Sequence, residues 1–200
     1  MDKNNNQNKV DIKIITLGDS HVGKSSLIIK YIDNKFSNVY MSTIGFDLKH
    51  KQITLKDGTD AKIMIYDTAG QERFKSLAAN YIKKANGILL VYDISDHQTF
   101  ENIEMWMNSI IMEKGDKLPI VLVGNKADLT EERQVTKEEG KNLAENKGFH
   151  FYETSCKDGA NVTESFLDLA ELVYEKSGKK LNQNCGKKLN DGSSKKKACC

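Results

Sequence analysis

The chain has 200 residues, 38% of them hydrophobic and 29% charged, which suits one globular domain with a substantial core. No apolar run approaches the roughly 18 residues that a membrane-spanning helix needs, and the opening MDKNNNQNKVD lacks the apolar stretch of a secretory signal. The net charge of +2 is uneven: from Ser177 to Cys200 seven lysines stand against one aspartate, which leaves about −4 for residues 1–176. An acidic body argues against a nucleic-acid-binding domain, and a basic tail argues for an acidic surface such as membrane lipid. Without a secretory signal, the four cysteines (Cys156, Cys185, Cys199 and Cys200) are expected to be free thiols.

Residues 1–9 read as a disordered lead. Val10–Leu17 then predicts a strand and Ser25–Asp33 a helix. His50–Leu55 and Ala61–Tyr66 predict paired strands around the Asp57-Gly58 turn, a strong hairpin signal. GILLVY at Gly87–Tyr92 and PIVLV at Pro119–Val123 are continuous apolar runs, as strands buried on both faces require. Helices are expected near Ser76–Lys84, Thr99–Glu113 and Lys137–Lys147. A strand at Phe149–Glu153 and a helix at Val162–Lys176 complete the series. Such alternation predicts an α/β fold, a mostly parallel six-stranded sheet with helices on both faces, with ligands at the carboxyl ends of the strands. The globular unit spans residues 10–176. Beyond it, periodicity gives way to Gly, Asn, Lys and Ser, so residues 177–200 read as an unstructured tail.

Gly18-Asp19-Ser20-His21-Val22-Gly23-Lys24-Ser25 fits G-x-x-x-x-G-K-[ST] between a strand and a helix, the context that this pattern demands. The loop and helix start aim backbone N–H groups at one point, a nest for phosphate oxygens. Lys24 is expected to reach the β- and γ-phosphates, and Ser25, followed by Ser26, to ligate Mg²⁺. His21 occupies a variable position with nothing nearby in sequence to orient it as a base, and reads as a loop residue. Asp67-Thr68-Ala69-Gly70-Gln71-Glu72 follows the strand KIMIYD. There Asp67 can hold Mg²⁺ through water, Gly70 can offer its N–H to a γ-phosphate, and Gln71 can position a water for in-line attack.

Asn125-Lys126-Ala127-Asp128 follows PIVLV. A carboxylate only accepts, so Asp128 can take hydrogen bonds from the N1–H and amino group of guanine. Adenine has no N1–H, and the unpaired buried charge would cost on the order of 3–5 kcal/mol. In Thr154-Ser155-Cys156-Lys157 a backbone N–H can meet guanine O6, with the Cys156 side chain incidental.

GDSHVGKS, STIG, DTAGQE, NKAD and SCK, in this order, resemble a small GTPase of the Ras superfamily, and IGFDL, KIMIYDTAGQERF, YIKKANGILLVYD and the double-cysteine ending resemble the Rab family within it. The resemblance covers about residues 10–176 and implies a P-loop NTPase that hydrolyses GTP to GDP and recruits effectors in vesicle traffic. It implies that Thr43 binds Mg²⁺ and the γ-phosphate, that Phe36 packs on guanine, and that Tyr40 belongs to the same first switch. It also implies Lys24, Gly70, Gln71 and Thr43 as the catalytic set, and Asp19 to Ser26, Asn125, Lys126, Asp128, Ser155, Cys156 and Lys157 around the nucleotide. No arginine stands in the phosphate loop or in Tyr40-Met41-Ser42, so an activator (GAP) is expected to supply one in trans, an effect of about 10³–10⁵ in rate. An exchange factor (GEF), a GDP-form carrier (GDI) and a prenylation escort are implied as partners of a monomer that binds no nucleic acid.

One departure stands out. Where Rab proteins usually carry Phe, Trp and Tyr beneath the switches, this chain has Leu48, Tyr66 and Tyr81, and Tyr81-Ile82 replaces a common Tyr-Tyr pair. The resemblance also accounts for the tail: Cys199 and Cys200 would be geranylgeranylated, since no C-a-a-X context exists and two lipid signals anchor stably where one does not. Lys195–Lys197 would add about 3 kcal/mol at most on an anionic leaflet. The expected location is the cytoplasmic face of an endomembrane or the plasma membrane, with a cytosolic pool; the compartment and the acylation of Cys185 stay open. A nucleotide-binding scaffold that does not hydrolyse, or a nucleotide kinase, are the competing readings; Gln71 speaks against the first and NKAD against the second.

Overall fold

The computed structural model describes residues 10–36, 46–68 and 75–177. Its strands are β1 (Val10–Leu17), β2 (Phe46–Thr54), β3 (Asp60–Thr68), β4 (Gly87–Asp93), β5 (Ile120–Asn125) and β6 (His150–Thr154). The helices are α1 (Lys24–Asp33), α2 (Lys75–Lys84), α3 (His97–Glu101), α4 (Ile103–Lys114), α5 (Lys137–Lys147) and α6 (Val162–Lys176), with a short 3₁₀ turn at Gly115–Lys117.

The strands form one sheet in the order β2-β3-β1-β4-β5-β6. β2 and β3 pair antiparallel through the Asp57-Gly58 hairpin, and every other pairing is parallel. β4 and β5 are buried along their whole length, which explains why their sequences carry no alternation. One face packs on α1 and α6 through Leu27, Ile28, Phe166, Leu169 and Val173. The other packs on α2, α4 and α5 through Ile82, Trp106, Met107, Ile110 and Ala144. The expected two-faced sheet is therefore what forms.

Two boundaries differ from expectation in an instructive way. The hairpin strands run longer than their apolar residues suggest, because β2 is an edge strand with one exposed face and reads as polar. The single helix expected over residues 99–113 is broken at Asn102, where α3 ends and α4 begins. Backbone bonds still bridge the break, from Asn102 N–H to the Gln98 carbonyl at 3.0 Å and from Trp106 N–H to the Asn102 carbonyl at 3.2 Å. Asn102 has ψ −10°, flatter than an ideal helical residue. Asp96 caps α3 through a side-chain bond to the Gln98 N–H, and a Thr136–Glu139 capping box starts α5.

The parallel register brings Asp93, Asn125 and Thr154 level at the carboxyl ends of β4, β5 and β6. Just behind them, the fully buried Tyr92 places its hydroxyl against two glycines: a Cβ on Gly124 or Gly140 would lie 2.7 or 2.3 Å from that oxygen. The hydroxyl has no hydrogen-bond partner among the described residues. Removing an unpaired buried hydroxyl relieves a desolvation penalty, so Tyr92→Phe should be neutral or stabilising by about 1 kcal/mol in urea unfolding, whereas Gly140→Ala should cost about 1–3 kcal/mol. A clear loss of stability in Tyr92→Phe would show that the oxygen has a partner.

Candidate functional site

The phosphate loop begins where β1 runs out. Gly18 has φ 140° and Gly23 has φ 94°, and neither leaves room for a side chain: a Cβ on Gly18 would lie 2.0 Å from the Val91 carbonyl oxygen, and one on Gly23 2.3 Å from Asn125 Nδ2. Gly23 is the N-cap of α1, and no side chain caps that helix start. The first N–H groups of α1 are thus not committed to a capping side chain, the arrangement that suits an anion. His21, between the two glycines, is exposed and also left-handed, with φ 67°.

Lys24 lies in the first turn of α1 and is only 5% exposed. Its ammonium donates to the Gly18 and Asp19 carbonyls at 3.0 and 2.5 Å. Burial pushes its pKa down to about 8, against partial opposition from the Asp67 and Asp19 carboxylates. Asp67, buried near the end of β3, therefore shares the electrostatic environment of this lysine. Ser25 follows Lys24 on the same turn. Ser25 and Asp67 offer hard oxygen donors, and no group of three or more His, Cys, Asp or Glu suited to a metal exists among the described residues. That donor set fits a small cation that completes its shell with ligand phosphate oxygens and water.

The Asn125 carboxamide joins this loop to the next. It is 1% exposed, donates through Nδ2 to the Val22 carbonyl at 2.8 Å, and accepts at Oδ1 from the Thr154 hydroxyl at 3.0 Å. The Cys156 thiol reaches the same oxygen at 3.6 Å. Burial raises that thiol to about 12, so it stays protonated at neutral pH and acts as a weak donor rather than a nucleophile. Lys126 follows with φ 64°, and its ammonium pairs with Asp93 at 2.5 Å. Left-handed backbone in a non-glycine residue is costly and needs such anchoring. The Ser155 hydroxyl lies between two carboxylates, 2.7 Å from Asp128 and 2.5 Å from Asp158, which share its single proton and hold Asp128 at this position. The Ala127 N–H bonds the Thr154 carbonyl at 3.0 Å, so the loops after β5 and β6 lie side by side.

Comparison with known proteins shows the family of the chain. The Ras family model matches residues 13–175. The Ras-related protein Rab-13 of Canis lupus familiaris is 43% identical over 175 residues, which cover 88% of this chain and 86% of that protein. The Ras-related protein SEC4 of Saccharomyces cerevisiae is 41% identical over 197 residues, covering 94% and 91%. The Ras-related protein Rab-8B of Homo sapiens is 41% identical over 172 residues, covering 86% and 83%. The chain belongs to the Ras family and, within it, to the Rab small GTPases. As a small GTPase it binds GTP and GDP and hydrolyses GTP.

In this Rab small GTPase the structure brings Asp19 to Ser26, Asp67, Asn125, Lys126, Asp128, Ser155, Cys156 and Lys157 to one end of the sheet. Phe36, just beyond α1, is exposed. Tyr40, Thr43, Gly70, Gln71, Cys185, Cys199 and Cys200 lie outside the described residues, as do the lead at 1–9 and nearly all of the tail. The unusual trio is contiguous: Leu48 sits opposite Tyr66 in the β2–β3 register, and the Tyr66 and Tyr81 rings are 5.4 Å apart. Leu48 is 43% exposed. Two contributors carry no local signal in the sequence: Asp93, one residue past the strand expected over Gly87–Tyr92, and Arg133, which grips Glu153 through two bonds of 2.6 and 3.1 Å from a polar loop.

Lys24 sets a pH dependence. Its folded pKa lies below the ordinary lysine value, so the free protein loses this charge as pH rises through about 8, and a phosphate bound beside it would hold the proton on. GDP affinity measured by calorimetry should be fully present below that pH and fall by up to about tenfold per pH unit above it. Lys24→Arg stays charged throughout and should lose this slope, any ionisation of the nucleotide being common to both proteins. Equal slopes would remove Lys24 from the titration.

Proposed function

We propose that this chain is a GTP/GDP switch of intracellular membrane traffic, reading guanine with Asp128 and phosphate with the loop from Gly18 to Ser25. The observation that carries the reading is the Asn125 bridge, which ties the phosphate loop to both loops that would face the base. The Gly23–Lys24 helix start and the Lys24 ammonium would hold the β- and γ-phosphates, with the backbone of Asp19 to Val22 as the cradle. Asp128, fixed by Ser155, would accept from the guanine N1–H and amino group, and the Cys156 and Lys157 backbone would meet O6. Lys126 would cover the base, and Phe36 would pack against it on the other side.

Mg²⁺ would be held by Ser25, by Thr43 and, through water, by Asp67. When bound it neutralises charge on the β- and γ-oxygens. Gln71 would orient the attacking water, and Gly70 and Thr43 would bond the γ-phosphate, so that its loss frees both switch segments. Unaided hydrolysis would be slow, and an activator protein would bring an arginine. Effectors would read the switch surface around Leu48, Tyr66 and Tyr81, where smaller or more polar residues than the usual trio alter the packing. Geranylgeranyl groups on Cys199 and Cys200, with the tail lysines, would tether the switch to a cytoplasmic membrane face. Exchange factor, GDP-form carrier and escort protein complete the expected partners.

Displacement of a fluorescent GDP tests guanine reading directly. GTP should compete at stoichiometric levels, whereas ATP in about a hundredfold excess should leave the label in place, because Asp128 would face an acceptor on adenine. Competition by ATP at comparable concentration would contradict the assignment.

A further inference from the structure

The phosphate loop is held at a second point that lies far from it in sequence. Asp19 points its carboxylate at α4: Asn102 Nδ2 donates to Oδ2 at 2.6 Å and Trp106 Nε1 donates to Oδ1 at 2.8 Å. The two donors stand four residues apart, Asn102 at the N-cap of α4 and Trp106 in its first turns, so both side chains project on one side of the helix start. Each is fixed by its own surroundings. Trp106 is 4% exposed with its ring in the core, and an indole N–H only donates, so its direction is set by packing. The Asn102 amide accepts at Oδ1 from Gln98 Nε2 at 3.3 Å, which leaves Nδ2 for Asp19. Asn102 is also the residue at which α3 ends and α4 begins, its backbone still in the right-handed helical region with φ −69° and ψ −10°.

We propose that Asn102 and Trp106 are positioning residues for nucleotide binding, which hold the phosphate loop in register through the Asp19 carboxylate. The inference rests on the reading of that loop as the nucleotide site. The physical reason lies in Lys24. Asp19 is one of two carboxylates whose charge bears on the Lys24 ammonium, and its own carbonyl accepts from that ammonium at 2.5 Å. A carboxylate free to rotate would compete with phosphate for the lysine. Two N–H donors on a rigid helix satisfy both of its oxygens and keep it from doing so. They also hold residue 19 in a loop that runs from Gly18, where no side chain fits against Val91, to the left-handed His21. A purely structural reading, in which Asp19 only satisfies a buried indole, predicts lost stability but no specific effect on the nucleotide.

The test is the release rate of fluorescent GDP, with Mg²⁺ and excess unlabelled GDP, from the full chain and four variants. Asn102→Asp sets a like charge against Asp19 and should speed release by about tenfold or more; Trp106→Phe removes one donor and should speed it about threefold to tenfold. The exchanged pair Asp19→Asn with Asn102→Asp restores a donor–acceptor contact in reverse and should return the rate to within about threefold of the parent. Met107→Ala, in the core on the same helix, should lower the urea midpoint while leaving release within about twofold. Release from Asn102→Asp at the parental rate, absence of rescue in the exchanged pair, or equal acceleration in Met107→Ala would each overturn the proposal. A parent chain that retains no GDP would instead overturn the nucleotide-site reading itself, so the two failures are distinct.

Discussion

The carboxamide of Asn125 is the constraint on which the site depends. Two loops separated by about a hundred residues must lie against each other, and a single buried amide holds them, donating to the Val22 carbonyl and accepting from Thr154. Its burial makes the arrangement demanding, because an amide in an apolar interior needs its partners or destabilises the fold. The parallel sheet makes it possible, because the register of β4, β5 and β6 delivers Asp93, Asn125 and Thr154 at one level. Geometry and satisfaction of polar groups therefore select the same arrangement.

Charge is distributed around this hub with similar economy. Lys24 is buried and held by two carbonyls, a state in which its proton is loosely kept and a phosphate would bind it more firmly. Three of the carboxylates that bear on the site are restrained: Asp19 by α4 and its cap, Asp93 by Lys126 and Asp128 by Ser155. Restraint matters because a mobile acid near a polyanion site would either repel the ligand or capture the lysine. Two of the four left-handed non-glycine residues among the described residues, His21 and Lys126, fall in these loops, which is where backbone strain is tolerated when function requires it.

How legible this was in the sequence depended on the range of each interaction. β4 and β5 are evident from GILLVY and PIVLV because burial on both faces leaves an unbroken apolar run, and α5 and α6 begin and end where their periodicity does. The phosphate loop and NKAD are evident because their chemistry is compact in sequence. The break at Asn102 is not, since Asn102 and Trp106 look like ordinary members of an amphipathic helix and their partner Asp19 lies 83 and 87 residues away. The partners of Asp93 and Thr154 are likewise hidden, because they appear only when the register is known. β2 was foreshortened at its start, where Asp47 and Lys49 alternate with Phe46 and Leu48 on an edge strand with an exposed face.

If one amide couples the phosphate and base ends of the site, its removal must weaken the whole ligand rather than one part of it. Calorimetric titration of GDP into Asn125→Ala, checked by circular dichroism for an intact fold, measures this directly. The loss of its buried hydrogen bonds to Val22, Thr154 and Cys156 predicts a dissociation constant raised by about a hundredfold or more. An affinity equal to that of the parent chain would mean that the loops hold their places without Asn125, and would contradict the account.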